Sequence, residues 1–327
     1  MPEGATGKTS GGAAEAGGLA AAIGDWRQYV VYGGFVVIFV IFALTLRDRG
    51  FLTPFNLLNI VRQTAIIAIM ATAMTFVLCA GEIDLSVGAL AGFVSVTTAM
   101  SIDAFGTAAG IVAGLATGLV VGAANAVLTT VVGIPSFLVT LAMMGIATGT
   151  AMWVSGSAAI PIVDPSYTTP FGSGNLGAVP SLLLWMAAVA VIGQGGLRKT
   201  SFGRKVLATG GSVLSARYSG VDTRAIKRYV LIASALSAAL AGMLYAGRLH
   251  TGRYQLGQGD ELSVIAAAVL GGTSLFGGKG TVAGSIVGAL MIGLINNGLI
   301  LMNLEYSQQL IARGVIIILA VALGSTR

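Results

Sequence analysis

Residues 280–288 read GTVAGSIVG, and residues 106–114 read GTAAGIVAG. The two stretches share the pattern G-T-x-A-G-x-x-x-G. A second match precedes each of them in the same order. Asp84-Leu85-Ser86-Val87 stands before the first copy and Glu261-Leu262-Ser263-Val264 before the second. The offsets are 174 residues for the glycine pattern and 177 for the upstream one. One such match can arise by chance between Gly/Ala-rich segments, but two that agree in order and spacing mark an internal repeat. Glycines four apart lie on one helix face and let a neighbouring backbone approach closely. Gly106, Gly110, Gly114, Gly118 and Gly122 form that stripe in the first copy, and Gly280, Gly284 and Gly288 in the second. The stripe is a packing feature, not a chemical one.

The composition says where such helices can live. The chain has 327 residues, of which 9% are charged and 55% hydrophobic, and 48 are glycine. Its mean hydropathy is +0.90. A soluble fold of this length cannot cover its surface with so few charges. A soluble enzyme, a disordered protein and a nucleic-acid binder are thereby excluded, and an all-α, polytopic membrane protein is left. A single cysteine, Cys79, excludes an intramolecular disulfide and a multi-cysteine metal site.

Ten apolar stretches are expected to form membrane helices, at about 29–46, 64–80, 86–101, 107–130, 135–154, 180–197, 229–246, 262–276, 280–301 and 308–324. A span needs about 20 residues. The second, third and eighth are short, which points to broken helices inside a bundle. Residues 1–24 are rich in Gly, Ala and Ser and read as a disordered cytoplasmic tail. Residues 25–327 read as one transmembrane domain with repeat halves near 51–155 and 178–303. The copies are five spans apart, an odd number, so the second is expected upside down. Inverted repeats are characteristic of transporters.

Orientation follows from the basic residues. Segment 198–228 holds eight Lys and Arg against the single Asp222, a net charge of +7. Basic loops stay in the cytoplasm. Ten spans then put both termini inside, with 12 basic residues on that side. Five basic residues lie outside: Arg47, Arg49, Arg62, Arg248 and Arg253.

Gly81-Glu82-Ile83-Asp84-Leu85-Ser86-Val87-Gly88 places two carboxylates between apolar stretches. Each costs about 2.5–3.5 kcal/mol at the centre of a bilayer. Either Asp84 and Ser86 cap the next helix near the cytoplasmic surface, or Glu82, Asp84 and Ser86 face a transport pathway. Asn125, Asn296 and Asn297 also lie within spans, where an amide binds a polyol or joins two helices. His250 stands alone in an outer loop and reads as a surface residue. Gly172-Ser173-Gly174-Asn175-Leu176-Gly177 fits G-x-G-x-x-G, but no strand precedes it and Pro180 follows, so it is not a dinucleotide turn. Leu275–Thr281 fails the phosphate-loop spacing, because position 273 is Thr and position 280 is Gly. The chain thus offers no nucleotide loop, and no metal or nucleophile–base constellation.

Three segments together carry a family resemblance: G-E-I-D-L-S-V-G at 81–88, T-S-F-G-R-K-V-L-A-T-G-G-S at 200–212 running on to A-R-Y-S-G-V at 216–221, and V-L-G-G-T-S-L-F-G-G-K-G-T-V-A-G-S-I-V-G-A at 269–289. The chain resembles the membrane permease of bacterial ATP-binding-cassette sugar importers, the ribose/xylose/autoinducer-type branch. The resemblance covers about Phe51 to the C-terminus. It implies a helical fold like that of vitamin-B12-type importers, a second permease copy (identical or not), a cytoplasmic ATP-binding subunit that holds the ATP and Mg, and a periplasmic or lipid-anchored sugar-binding protein. This chain itself would hold no cofactor and would sit in the lipid of the inner membrane. Thr200, Ser201, Phe202, Gly203, Arg204, Gly210, Gly211, Ser219 and Gly220 match the family's cytoplasmic coupling segment. An amphipathic basic segment with Gly hinges is suited to dock in an ATPase cleft, whereas basic residues alone would also serve lipid headgroups. Two other functions compete. One is a secondary transporter carrying protons on Glu82 or Asp84. The other is a branched-chain amino-acid permease.

Overall fold

The computed structural model describes residues 32–305, 307–312, 314–315 and 318. The expected tail, 1–24, lies outside them. Almost every described apolar stretch is helical. Helix α1 is Tyr32–Thr45, α2 Pro54–Cys79, α3 Val87–Phe105, α4 Thr107–Val127, α5 Ser136–Ser155, α6 Pro165–Thr168 and α7 Ser181–Lys199. They are followed by α8 Ser201–Gly211, α9 Val213–Tyr218, α10 Thr223–Leu249, α11 Asp260–Leu270 and α12 Val282–Leu301. The described residues between 307 and 318 are helical too. Among the described residues, seven helices are long and apolar enough to cross a membrane: α2, α3, α4 with its continuation to Val132, α5, α7, α10 and α12. Among the described residues, strand is confined to two pairs of two-residue strands. Strand β1 (Ile160–Pro161) pairs with β4 (Thr251–Gly252), and β2 (Asn175–Leu176) with β3 (Val179–Pro180).

Two of the three stretches expected to be short are full-length. Helix α2 has 26 residues and α3 has 19. Hydropathy truncated α2 because its first turns carry Asn56, Asn59, Arg62 and Gln63. Its true start is set by Thr53, whose side chain caps Asn56 N–H, and by Pro54 in the first turn. Only α11 is a half-length helix. Its 11 residues span about 16 Å at 1.5 Å per residue. That is roughly half of the ~30 Å hydrocarbon core.

Helix α2 sits at the centre. Its most apolar window is 83% buried, against 22% for α5 and α7, so α2 is apolar on all sides while those two present theirs outward. Around it, α4 packs on α3 and α10, and α12 packs on α11 and α2. The glycine stripe makes the first set of contacts. A side chain at Gly110 or Gly114 would meet Ile102 and Thr98 of α3, and one at Gly118 or Gly122 would meet Ala239 and Ala235 of α10. Gly284 and Gly288 likewise admit the backbone of Gly271 and Ala267 at the end of α11.

Non-helical chain precedes both α3 and α11. Residues 82–86 have no regular structure between α2 and α3. Segment 251–259, before α11, runs back along α3 against its direction. Gly252 lies against Ser95 and Ala99, Tyr254 against Gly92, and Gly257 with Glu261 against Gly88. The Arg253 N–H donates to Ser95 Oγ at 3.1 Å. Helix α11 therefore starts partway along the bundle.

Candidate functional site

Three assemblies hold the residues singled out by sequence. The first lies at the end of the bundle that carries the basic segment. Thr200 caps α8, its hydroxyl oxygen accepting the Gly203 N–H at 3.1 Å. Phe202 stacks on Phe76 of α2, with ring centroids 6.2 Å apart, and meets Tyr229 of α10 edge-on. Phe202, Gly203, Val206, Thr209 and Gly210 fall on one face of α8 and turn inward, while Ser201, Arg204, Lys205 and Gly211 face out. The expectation that Gly203 and Gly210 are hinges is corrected here. Both lie inside the helix at points of close approach. A Cβ at Gly203 would strike the Leu197 carbonyl, and one at Gly210 the Cys79 carbonyl and the Gly278 nitrogen. Gly278 N–H in turn donates to that same Cys79 carbonyl at 3.0 Å. Past α9, Ser219 and Gly220 are exposed, and Gly220, with φ of +79°, supplies the turn that returns the chain toward α10.

The second assembly is the acidic segment. Its side chains alternate, as an extended chain requires. Glu82 pairs with Lys227 in the first turns of α10. Asp84 is fully buried and accepts both the Ser86 N–H, at 2.9 Å, and the Ser86 hydroxyl, at 2.6 Å. Asn125 of α4 donates to Ser86 Oγ at 3.1 Å. Backbone groups in an unpaired buried segment need partners. The Ile83 and Leu85 N–H groups find them in the hydroxyls of Ser136 and Thr140 of α5, at 3.1 and 3.0 Å. Capping is not what these residues do. Ser86 occupies the cap position of α3, but its side chain accepts no helix N–H; its oxygen accepts from Asn125 instead. Sequence reasoning missed Lys227, Ser136 and Thr140. Ordinary hydroxyls near a helix start carry no signal until the chain opposite them is seen to be unpaired.

The third assembly is a cavity of about 210 Å³ between α2, α10, α11 and α12. Gln63, Arg248, Asp260, Ser263 and Asn296 contribute its polar lining. Asn296 was singled out by sequence and is here. Asn297, one residue on, is not. It exchanges two hydrogen bonds with Asn56 of α2, at 3.0 and 2.8 Å, and so joins helices. Arg62 and Arg248, expected in outer loops, lie within α2 and α10. Ser263 belongs to the second copy of the upstream motif, so the repeat was the signal that could have found it. Helices α2 and α12 each reach the cavity in the half away from α8, as Thr64 and Gly293 mark. The described residues contain no group of three or more His, Cys, Asp and Glu placed to hold a metal.

A bundle of apolar helices around a buried central span, with half of one span replaced by non-helical chain, is the architecture of a multi-pass transport protein of the membrane. The chain belongs to the family described as "Branched-chain amino acid transport system / permease component", whose profile matches residues 56–321. It is similar to the ribose import permease protein RbsC of Bacillus subtilis, 37% identical over 89% of this chain and 91% of the relative. It is also similar to the L-arabinose ABC transporter permease protein AraH of Azospirillum brasilense, at 36% over 93% and 90%. The xylose transport system permease protein XylH of Escherichia coli is 31% identical over 91% and 92%. No solved structure matches.

Proposed function

We propose that this chain is the membrane subunit of an importer that moves a monosaccharide, a pentose first of all, powered by ATP in a separate subunit. End-to-end similarity to permeases named for ribose, arabinose and xylose carries the reading. The same similarity favours sugar over a branched-chain amino acid, although the family description names the latter.

The geometry supports the partners implied by that reading. Helix α8 is clamped by its inner face and presents Arg204, Lys205 and Gly211 outward. It leans on the end of α2 and on the loop at Gly278. A push delivered to its exposed face by an ATP-binding subunit is therefore passed to the central helix and to the α11–α12 connection. The positive-inside bias of its basic residues supports a cytoplasmic position for this face. A second permease copy, and a binding protein delivering sugar to the other face, complete the machine.

The repeat has matching support. Shifting by five spans takes α2 to α10, α3 to α11 and α4 to α12. The α4–α10 packing then corresponds to α12–α2, and α3–α10 to α11–α2. Two such halves rocking against each other give alternating access. A proton-coupled carrier has less in its favour. Glu82 is engaged by Lys227, and Asp84 holds the Ser86 N–H and hydroxyl on one of its oxygens.

The test is reconstitution. With its ATP-binding and sugar-binding partners in proteoliposomes, the chain should accumulate labelled ribose, arabinose or xylose only with ATP inside the cytoplasmic-facing compartment. Alone it should hydrolyse no ATP and concentrate no sugar. Accumulation by the chain alone, driven by a proton gradient, would overturn the reading.

A further inference from the structure

We propose that the cavity between α2, α10, α11 and α12 binds the hydroxyl groups of the transported sugar. The proposal rests on the importer reading above and adds the residues that touch the cargo. At about 210 Å³ the cavity far exceeds the ~10–15 Å³ that one water requires.

Each of the four helices contributes a polar group with unused capacity. Gln63 comes from α2, Arg248 from α10, Ser263 from α11 and Asn296 from α12. Arg248 spends one of its five N–H donors, on the Arg62 carbonyl oxygen at a long 3.4 Å, and makes no ion pair among the described residues. The side chains of Gln63, Ser263 and Asn296 meet no hydrogen-bond partner among the described residues, although each lines the cavity. Polar groups inside a membrane bundle are expensive unless they face one another or a solvated ligand. Neighbouring residues on α12 show the contrast. Asn297 is doubly bonded to Asn56, whereas Asn296 is turned to open space.

The mixture of donors and acceptors defines the ligand. Amides and the serine hydroxyl both donate and accept, and Arg248 only donates. A neutral polyol, each of whose hydroxyls does both, satisfies all of them. An anion would meet the carboxylate of Asp260 in the same wall. Ile67 and Ile292 supply the apolar wall on which the C–H face of a sugar ring can rest.

Cysteine protection tests this directly. Cys79 is the chain's single cysteine and is buried, so Asn296→Cys introduces the reactive thiol. In the complete reconstituted importer, millimolar ribose, arabinose or xylose should slow maleimide labelling of that thiol at least about threefold, and leucine should not. Gln63→Cys, at an exposed position on the cavity rim, serves if the first variant fails to assemble. Asn296→Ala and Ser263→Ala should each lower sugar uptake about tenfold, as loss of one ligand hydrogen bond does. Importers that take up sugar while both thiols label at unchanged rates, or are protected by leucine alone, would overturn the cavity assignment and leave the importer reading standing. A wild-type importer that accumulates no sugar would bring down the importer reading itself, and this proposal with it.

Discussion

Glu82 and Lys227 are ion-paired across the junction between the extended segment after α2 and the first turns of α10. The carboxylate side chain is 7% exposed and the ammonium side chain 25%. The pair thus ties the acidic motif, at one end of the α2–α3 connection, to the helix that follows the basic segment. Neither residue type alone would be expected in an apolar bundle, and each justifies the other.

The first prediction follows from that pair. Glu82→Gln should destabilise the protein, because Lys227 loses its counter-charge. Breaking a buried pair costs about 3–5 kcal/mol. Lys227 keeps one side open to solvent, so roughly 1–3 kcal/mol is expected here. A double-mutant cycle with Lys227→Met, read by unfolding in detergent, should show that the second change recovers part of the loss. Additive losses would contradict a direct pair.

A second prediction concerns Gly210. Gly210→Ala drives a methyl group into the Cys79 carbonyl and the Gly278 nitrogen, so α8 must lift from α2. ATP-dependent uptake should fall by about tenfold or more, since backbone cannot yield as a flexible side chain can. Gly211→Ala is the matched control. Its nearest neighbour is 4.0 Å away, at Gly278 Cα, and transport should stay within about twofold of wild type. Equal effects at both positions would show that the close approach is unimportant.

The two adjacent asparagines of α12 should behave differently. Asn297→Leu leaves Asn56 without its reciprocal partner and should cost about 1–3 kcal/mol of stability. Asn296→Ala removes a side chain that bonds nothing among the described residues, and its stability should stay within about 0.5 kcal/mol of wild type. Thermal unfolding of the two variants in the same detergent makes the comparison.

Acid should act at Asp164, in the loop between α5 and α7. Its carboxylate accepts the Thr107 hydroxyl at 2.5 Å and the Ser166 N–H at 2.9 Å, which holds its pKa below the ordinary carboxylate value. A depressed folded-state value means that the contribution is fully present above the unfolded pKa of about 3.9 and is lost as pH falls through the lower folded value. A melting scan from neutral pH downward should therefore show a loss near and below pH ~4 that Asp164→Asn removes. An unchanged acid limb in that variant would assign the loss to other carboxylates.

Much of this protein was legible in its sequence. Apolar runs can be buried only in lipid or against one another, so composition determined a polytopic helical protein. Glycines at fourfold spacing marked the face of α4 that other helices approach closely, because close approach forbids a side chain; that those helices are α3 and α10 came from the structure. The basic segment was legible as one surface, since eight cations cannot enter hydrocarbon. The start of α2 was not, because hydropathy discards Asn56, Asn59, Arg62 and Gln63, which the bundle accommodates.

Only the tertiary structure decided what each polar residue does. Asp84 and Ser86 stand at a helix start where sequence suggests a cap, yet Asp84 bonds to Ser86, and Ser86 is met from the side by Asn125 of α4. Asn296 and Asn297 are identical letters side by side. A turn of about 100° per residue sends one into a cavity and the other onto Asn56. Arg248 lies where hydropathy ends a span, and only the packing of α2, α11 and α12 makes it a cavity wall. Local sequence sets how the chain coils, because that depends on neighbours within a few residues. Which groups meet depends on segments as far apart as Asn56 and Asn297, and nothing local encodes that separation.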